Sequence, residues 1–158
     1  MENFFNTQDA PNARQANMFV TVDSKRYAIA TAKNFEATAN IETVDVPVLG
    51  GIIKGKKAVG MEIAFKMTIF KVTELFDDMV ETFKSTGVMP VFEIQTTSED
   101  PASTIGATTK IYKNCIIDGS ILLSMFDSEG ELIEQEINGF AMDYTSKEKY
   151  TNPTYMNV

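Results

Sequence analysis

The chain is 158 residues long, 44% apolar and 23% charged, with a net charge of −8 from 22 acids and 14 bases. That is one domain's length with an ordinary globular composition, enough to bury a core without covalent staples. It contains no histidine and a single cysteine, Cys115, which excludes an internal disulfide, a Cys/His metal site and Ser-His or Cys-His catalysis.

No run of about 18 apolar residues occurs, so no membrane-spanning segment is expected. The opening residues, MENFFNTQDAPNARQANM, lack a basic head followed by an apolar run and do not read as a secretory signal. An acidic chain does not seek nucleic-acid phosphates over its whole surface.

Residues 1–16 are polar apart from Phe4 and Phe5 and read as an arm. A hairpin follows, with MFVTV (18–22) and RYAIATA (26–32) flanking the turn residues 23–25. Two long strands come next. Over 35–46, Phe35, Ala37, Ala39 and Ile41 fall on one face, and Glu36, Thr38, Asn40 and Glu42 on the other. Over 61–72, Met61, Ile63, Phe65, Met67 and Ile69 alternate with Glu62, Ala64, Lys66 and Thr68. Period-two alternation of this length specifies strands with one wet face.

At Thr73 the period changes. Leu75, Phe76, Met79, Val80 and Phe83 take helical spacing, Thr73 suits the N-cap, and Gly87 followed by Pro90 ends the element. A helix over about 74–85 is predicted, with its apolar stripe on the core. Further strands are predicted at 89–97, then across a hairpin at Asp118-Gly119 joining TKIYKNCII to SILLSMFD. The last strand, ELIEQEINGFAMDYT, shifts its apolar phase at Asn138-Gly139, the sequence appearance of a β-bulge. Residues 146–158 read as a polar tail. About eight strands, one helix and no βαβ alternation predict a mainly β fold, an antiparallel barrel or sandwich with one packed helix. The whole chain, 1–158, reads as a single domain.

The connection at 46–59 is the unusual segment. It contains G-x-x-x-x-G-K at Gly50, Gly55 and Lys56, but Lys57 stands where a phosphate-binding loop needs Ser or Thr, and a strand follows where that loop needs a helix. Nucleotide binding is therefore not the reading. The segment carries Lys54, Lys56 and Lys57 with no acid, and it is apolar at Val48, Leu49, Ile52, Ile53 and Val59. Long connections of this kind tend to be functional, and exposed apolar clusters mark interaction surfaces. The plainer alternative is that these residues fold back on their own core. The acid pairs Asp77-Asp78 and Glu99-Asp100 and the group Glu131, Glu134 and Glu136 read as solvated faces. Cys115 reads as an apolar filler. No catalytic, cofactor or metal residue emerges, and an enzyme is not expected.

The order of arm, hairpin, two long strands with a long loop, helix and antiparallel strand set resembles the tail tube proteins of long-tailed phages. It is most similar to the XkdM-like core tail proteins of contractile, phage-derived particles in Gram-positive bacteria. The resemblance rests on MFVTVDSKRYAIATAKNFEATANIETVDVPVLGGIIKGKKAVG and KIYKNCIIDGSILLSMFDSEGELIEQEINGFAMDY, and covers about residues 12–146. It implies a homo-oligomer of stacked rings, hexameric in that family, forming the inner tube of a phage tail or of an R-type bacteriocin (tailocin). Implied partners are sheath, baseplate and tail terminator proteins, with DNA only as transient cargo. Implied location is the bacterial cytoplasm during assembly, then the virion or released particle. On the same resemblance Glu36, Thr38, Asn40, Glu42, Glu62, Lys66 and Thr68 face the lumen. Leu49, Gly50, Gly51, Ile52, Ile53, Lys54, Lys56 and Lys57 form a contact between subunits or rings. The residues alone leave open a monomeric small β-barrel that binds a ligand or a protein.

Overall fold

Alternating strands with one apolar face must bury that face to be stable. The computed structural model describes residues 5–29 and 32–156. Among the described residues the chain forms eight strands, all paired antiparallel, and one α-helix. The expected mainly β class holds. The chain divides into two compact units, one of residues 1–30, 91–115 and 143–158, the other of 31–90 and 116–142.

The first unit holds β1 (Ala16–Val22), β2 (Lys25–Ala28), β5 (Phe92–Glu99), the first part of β6 (Ala107–Ile117) and β8 (Asp143–Glu148). β1 pairs with β2 and β5, and β6 with β5 and β8. The β1–β2 hairpin is tight because Asp23 and Ser24 both take left-handed backbone, φ 50° and 66°, the geometry that suits a two-residue turn to twisted strands. Met18, Val20, Phe92, Ile94, Tyr112 and Cys115 are buried here. Burial pushes the Cys115 thiol up to about 12, and its Sγ donates to the Tyr112 carbonyl at 3.4 Å. It is an inert filler, as expected.

The described part of the N-terminal arm is pinned to this unit. Asp9 is buried, and its Oδ1 accepts from the Thr104 N–H and the Thr104 hydroxyl, each at 2.8 Å. Phe5 lies edge-on to Tyr155, with ring centroids 6.3 Å apart. Phe4, the arm's other aromatic, lies outside the described residues. The tail begins later than expected, because β8 runs through Glu148.

The second unit holds β3 (Ala32–Val46), β4 (Gly55–Phe70), α1 (Leu75–Thr86), the end of β6 and β7 (Glu134–Ala141). β4 is the central strand, with β3 on one side and β7 on the other. Phe65, Met67, Ile69 and Ile137 are buried on one face of this ladder. α1 buries Phe76 and Met79, while Phe83 stays half exposed, so the buried stripe is narrower than the spacing implied. Its first turn receives a bond from the Leu75 N–H to Thr73 Oγ1 at 3.2 Å. Gly87 ends it in left-handed backbone, φ 74°, donating its N–H to the Phe83 carbonyl at 2.8 Å. Lys71, just past β4, grips Asp77 in that first turn through both carboxylate oxygens, at 2.9 and 3.1 Å.

Three expectations fail. SILLSMFD forms no strand; residues 118–133 are irregular, with a turn closed by the Gly130 N–H on the Asp127 carbonyl at 3.2 Å. A short apolar run without a paired edge cannot declare itself a strand. The bulge at Asn138-Gly139 is absent, since the β4–β7 register runs unbroken from Ile63↔Ala141 to Phe70↔Glu134. The apolar phase stays odd through Gln135, Ile137, Gly139 and Ala141, all buried, and the break falls at Met142, between β7 and β8. Gly139 is instead a steric requirement: a Cβ there would strike the Ile116 carbonyl oxygen and come within 2.6 Å of the Phe65 ring. Finally, the connection expected over 46–59 shrinks to 47–54, because β3 reaches Val46 and β4 starts at Gly55. One cost remains in the ladder: among the described residues both amide atoms of buried Gln135 find no hydrogen-bond partner, an arrangement that typically costs about 1–3 kcal/mol.

Two outcomes follow. Gly139→Ala lowers the stability of the folded chain by about 1–3 kcal/mol, as overpacking does, and trimming the obstructing ring with Phe65→Leu recovers part of the loss; urea denaturation of the two variants checks this. Asp9 acts through a lowered carboxyl pKa, caused first by the Thr104 N–H and then by its hydroxyl. A lowered folded pKa means the contribution is intact above the ordinary carboxylate range and disappears as pH falls through the folded value. Limited proteolysis of residues 5–15 is therefore slow at neutral pH and accelerates in acid, while Asp9→Ala is cut quickly at both.

Candidate functional site

The candidate site is the β3–β4 hairpin. Its two strands run 15 and 16 residues, well beyond the usual strand length, and their register decides what each face carries. Asn34↔Thr68, Glu36↔Lys66, Thr38↔Ala64, Asn40↔Glu62 and Glu42↔Gly60 pair directly. Directly paired residues share a face. All seven residues singled out for the wet face, Glu36, Thr38, Asn40, Glu42, Glu62, Lys66 and Thr68, therefore lie together. All are exposed except half-buried Thr68.

The register also brings in a third strand that the sequence did not announce. Thr68 pairs with Glu136, Lys66 with Asn138 and Phe70 with Glu134, so β7 adds Glu134, Glu136 and Asn138 to the same face. The signal was the alternation in EQEIN, but membership depends on a neighbour some 70 residues away in sequence. The assembled face carries five carboxylates, Glu36, Glu42, Glu62, Glu134 and Glu136, against Lys66. Lys66 approaches Glu136 at 3.6 Å, and Lys33 bonds Glu134 at 3.1 Å at the margin. These pairs are about half exposed, so each contributes at most about 1 kcal/mol. This face does not hold the unit together; the opposite one, with Phe65, Met67 and Ile69, does.

That opposite face changes character along the hairpin. Near the base, Ile63, Phe65 and Met67 are at most 7% exposed. Farther out the same face carries Ile41 at 65% and Met61 at 58%. The ladder continues there, and among the described residues it leaves these two side chains more than half exposed. A register shift then falls between Glu42 and Thr43, leaving Val59 without a partner opposite. Beyond it Val44 and Val46 continue the parity of Glu36 and Glu42 on β3, now opposite Lys57 and Gly55. Lys56 faces Asp45 and bonds it at 2.7 Å.

The eight residues of the tip, 47–54, hold six of the eight predicted contact residues: Leu49, Gly50, Gly51, Ile52, Ile53 and Lys54. Lys56 and Lys57 are in β4 instead; their pairing with β3 overrides a lysine-rich composition that is poor for strands. Gly50 supplies the positive φ, 78°, that turns the chain. Leu49 and Ile52 are fully exposed and Ile53 nearly so, which disposes of the alternative that these residues fold back onto their own core. With Gly55 opening a strand, no helix N-terminus is available to cradle a phosphate. Among the described residues no group of three or more His, Cys, Asp or Glu is placed to hold a metal ion, and no helix is long and apolar enough to cross a membrane.

Comparison with known proteins converges on one family. The family model described as phage tail tube protein matches residues 3–147. The chain is 25% identical over 124 residues to the phage-like element PBSX protein XkdM of Bacillus subtilis (strain 168), covering 78% of this chain and 84% of that one. Among solved structures, the sheath–tube complex of the extracellular contractile injection system PVC in its extended state contains a similar chain. It has a TM-score of 0.60 at 15% identity, over 82% of this chain and 87% of that one. The tube-terminating cap of the anti-feeding prophage matches equally, TM-score 0.60 at 13% identity over the same shares. The tail of an empty gene transfer agent particle, refined with C6 symmetry, has a TM-score of 0.53 at 16% identity over 88% of this chain and 100% of that one. With a family model spanning nearly the whole sequence and the same fold recurring in tubes and their caps, the chain belongs to the phage tail tube protein family.

Proposed function

We propose that this chain is the repeating subunit of the inner tube of a contractile phage tail or R-type bacteriocin, assembling as stacked rings of six. One observation carries the reading: the β3–β4 ladder outruns its own core. Its outer half presents Ile41 and Met61 on a face the chain itself leaves uncovered, and its tip presents Leu49, Ile52 and Ile53. A ring of copies covers such a ladder with neighbouring ladders and closes edges that would otherwise aggregate. The C6 symmetry of the related tail supports six copies.

On this reading the acidic face of β3, β4 and β7 lines the channel. A channel wall of net negative charge repels nucleic-acid phosphates and lets DNA slide without sticking; in a particle without DNA the same wall passes ions. Sheath, baseplate and terminator proteins are the partners, in keeping with the sheath–tube and cap complexes in which the similar chains occur. Assembly takes place in the bacterial cytoplasm, and the product is part of a virion or released particle. The subunit is structural and needs no cofactor.

Purified protein at high concentration forms hollow tubes visible by negative-stain electron microscopy. A double change, Ile41→Asp with Met61→Asp, abolishes them while leaving circular dichroism and thermal unfolding close to wild type, since both side chains are already exposed. A wild-type chain that stays at 17.5 kDa at every concentration, or a double variant that builds tubes of normal length, sinks the proposal. Channel orientation is checked separately by maleimide labelling of Glu42→Cys and Thr68→Cys. The buried native thiol is silent, so the two installed thiols react freely in subunits and at least about tenfold more slowly with a bulky reagent once tubes have formed.

A further inference from the structure

We infer that the hairpin tip has a specific receptor on another copy of the chain: the acidic, apolar loop 125–133. This rests on the assembly reading above and adds to it the identity of the surface that receives the tip.

The two segments are complementary in both apolar character and charge. The tip exposes Leu49, Ile52 and Ile53 almost completely, flanked by Lys54 and Lys57. The loop exposes Phe126 at 97% and Leu132 at 71%, with Met125 partly exposed, around a shallow concavity that Asp127 and Glu131 also line. Its charges, Asp127, Glu129 and Glu131, are all acidic; from residue 114 to 146 the sequence contains no lysine or arginine. Among the described residues no ion pair reaches Lys54, Lys57, Asp127, Glu129 or Glu131. Both sides therefore offer apolar surface to be covered, and each carries charge of the sign opposite to the other's.

One chain cannot make this contact with itself. Glu134, which follows the loop directly, pairs with Phe70 at the far end of β4, and the Lys71 N–H donates to the Ile133 carbonyl at 2.9 Å. The tip lies beyond Gly55 at the other end of the same strand. Sixteen residues of strand separate the two ends by about 50 Å at ~3.3 Å per residue. The surfaces sit at opposite poles of one long ladder, so they meet only between copies, tip of one to loop of the next. That is a head-to-tail, heterologous contact, which closes into a ring or continues as an open stack; because it joins poles that lie along the strand direction, we take it as the open, stacking kind. It is suited to joining successive rings, whereas the exposed flank at Ile41 and Met61 is suited to contacts within a ring.

Charge reversal tests the pairing in the full-length chain. Lys54→Glu with Lys57→Glu, or Asp127→Lys with Glu129→Lys and Glu131→Lys, each cuts sedimentable tube about tenfold or more, because every ring repeats the contact. Combining both sets restores tubes. A second measurement does not depend on the charges: Ile52→Cys with Leu132→Cys gives covalent ladders on oxidation of assembled tubes and none in dilute subunits. The inference is overturned if wild-type tubes form but the loop reversal leaves them unchanged, if the combined reversals fail to restore them, or if the cysteine pair forms no ladder in tubes. A wild-type chain that builds no tubes at all overturns the assembly reading, a distinguishable outcome.

Discussion

The governing constraint is the register of β3 on β4. Once Phe35↔Met67 and Ala37↔Phe65 are set against a buried face, period two places Asn34, Glu36, Asn40, Glu42 and Glu62 on the other side. A slip of β3 by one residue would turn Glu36 toward the buried face and Phe35 toward the wet one, a cost no surface contact could offset. The base of the hairpin thus fixes the orientation of an outer half that has no core of its own. What the outer half offers to other copies is determined where the chain is packed, some 30 Å away by strand rise.

The division of labour between the faces follows. Ile63, Phe65, Met67 and Ile69 bury about 1.5–3 kcal/mol worth of side chain each, whereas the ion pairs across the wet face are half exposed and weak. The wet face is thereby free to be chosen for charge alone. The Lys71–Asp77 pair is different in kind: both side chains are about seven-eighths buried, and it ties the end of β4 to the first turn of α1, where an acid is also favoured by the helix dipole.

How much of this could be read from the chain depends on whether the deciding contact is local. The alternation at 35–42 and 61–69, the helix and its Gly87 stop are written in neighbouring residues, and all appear where expected. The start of β4 at Gly55 was illegible because glycine and two lysines become strand only when β3 is alongside. Gly139 looked like a bulge because its actual reason, a Phe65 ring lying across it, is a contact between residues 74 positions apart. The apolar run at 121–126 looked like a strand and is not one, since nothing in its composition says that no edge awaits it. The same limit hides β7 from the wet face: the group Glu131, Glu134 and Glu136 reads as a solvated cluster, which holds for exposed Glu136 but not for half-buried Glu134, and it lacks the strand that aligns the last two with Lys66 and Thr68.

The unpaired Val59 has a consequence of its own. By inserting a single position into β4, it reverses which parity of that strand shares a face with Glu36 and Glu42, while β3 keeps its own. The outward end of the hairpin is thereby uncoupled from the binary code of its base: substitutions beyond residue 59 need not respect the hydrated-or-buried alternation that constrains residues 60–69. A lineage can redesign how the far end grips without touching the wall behind it, and can retune the wall's charge without loosening the grip.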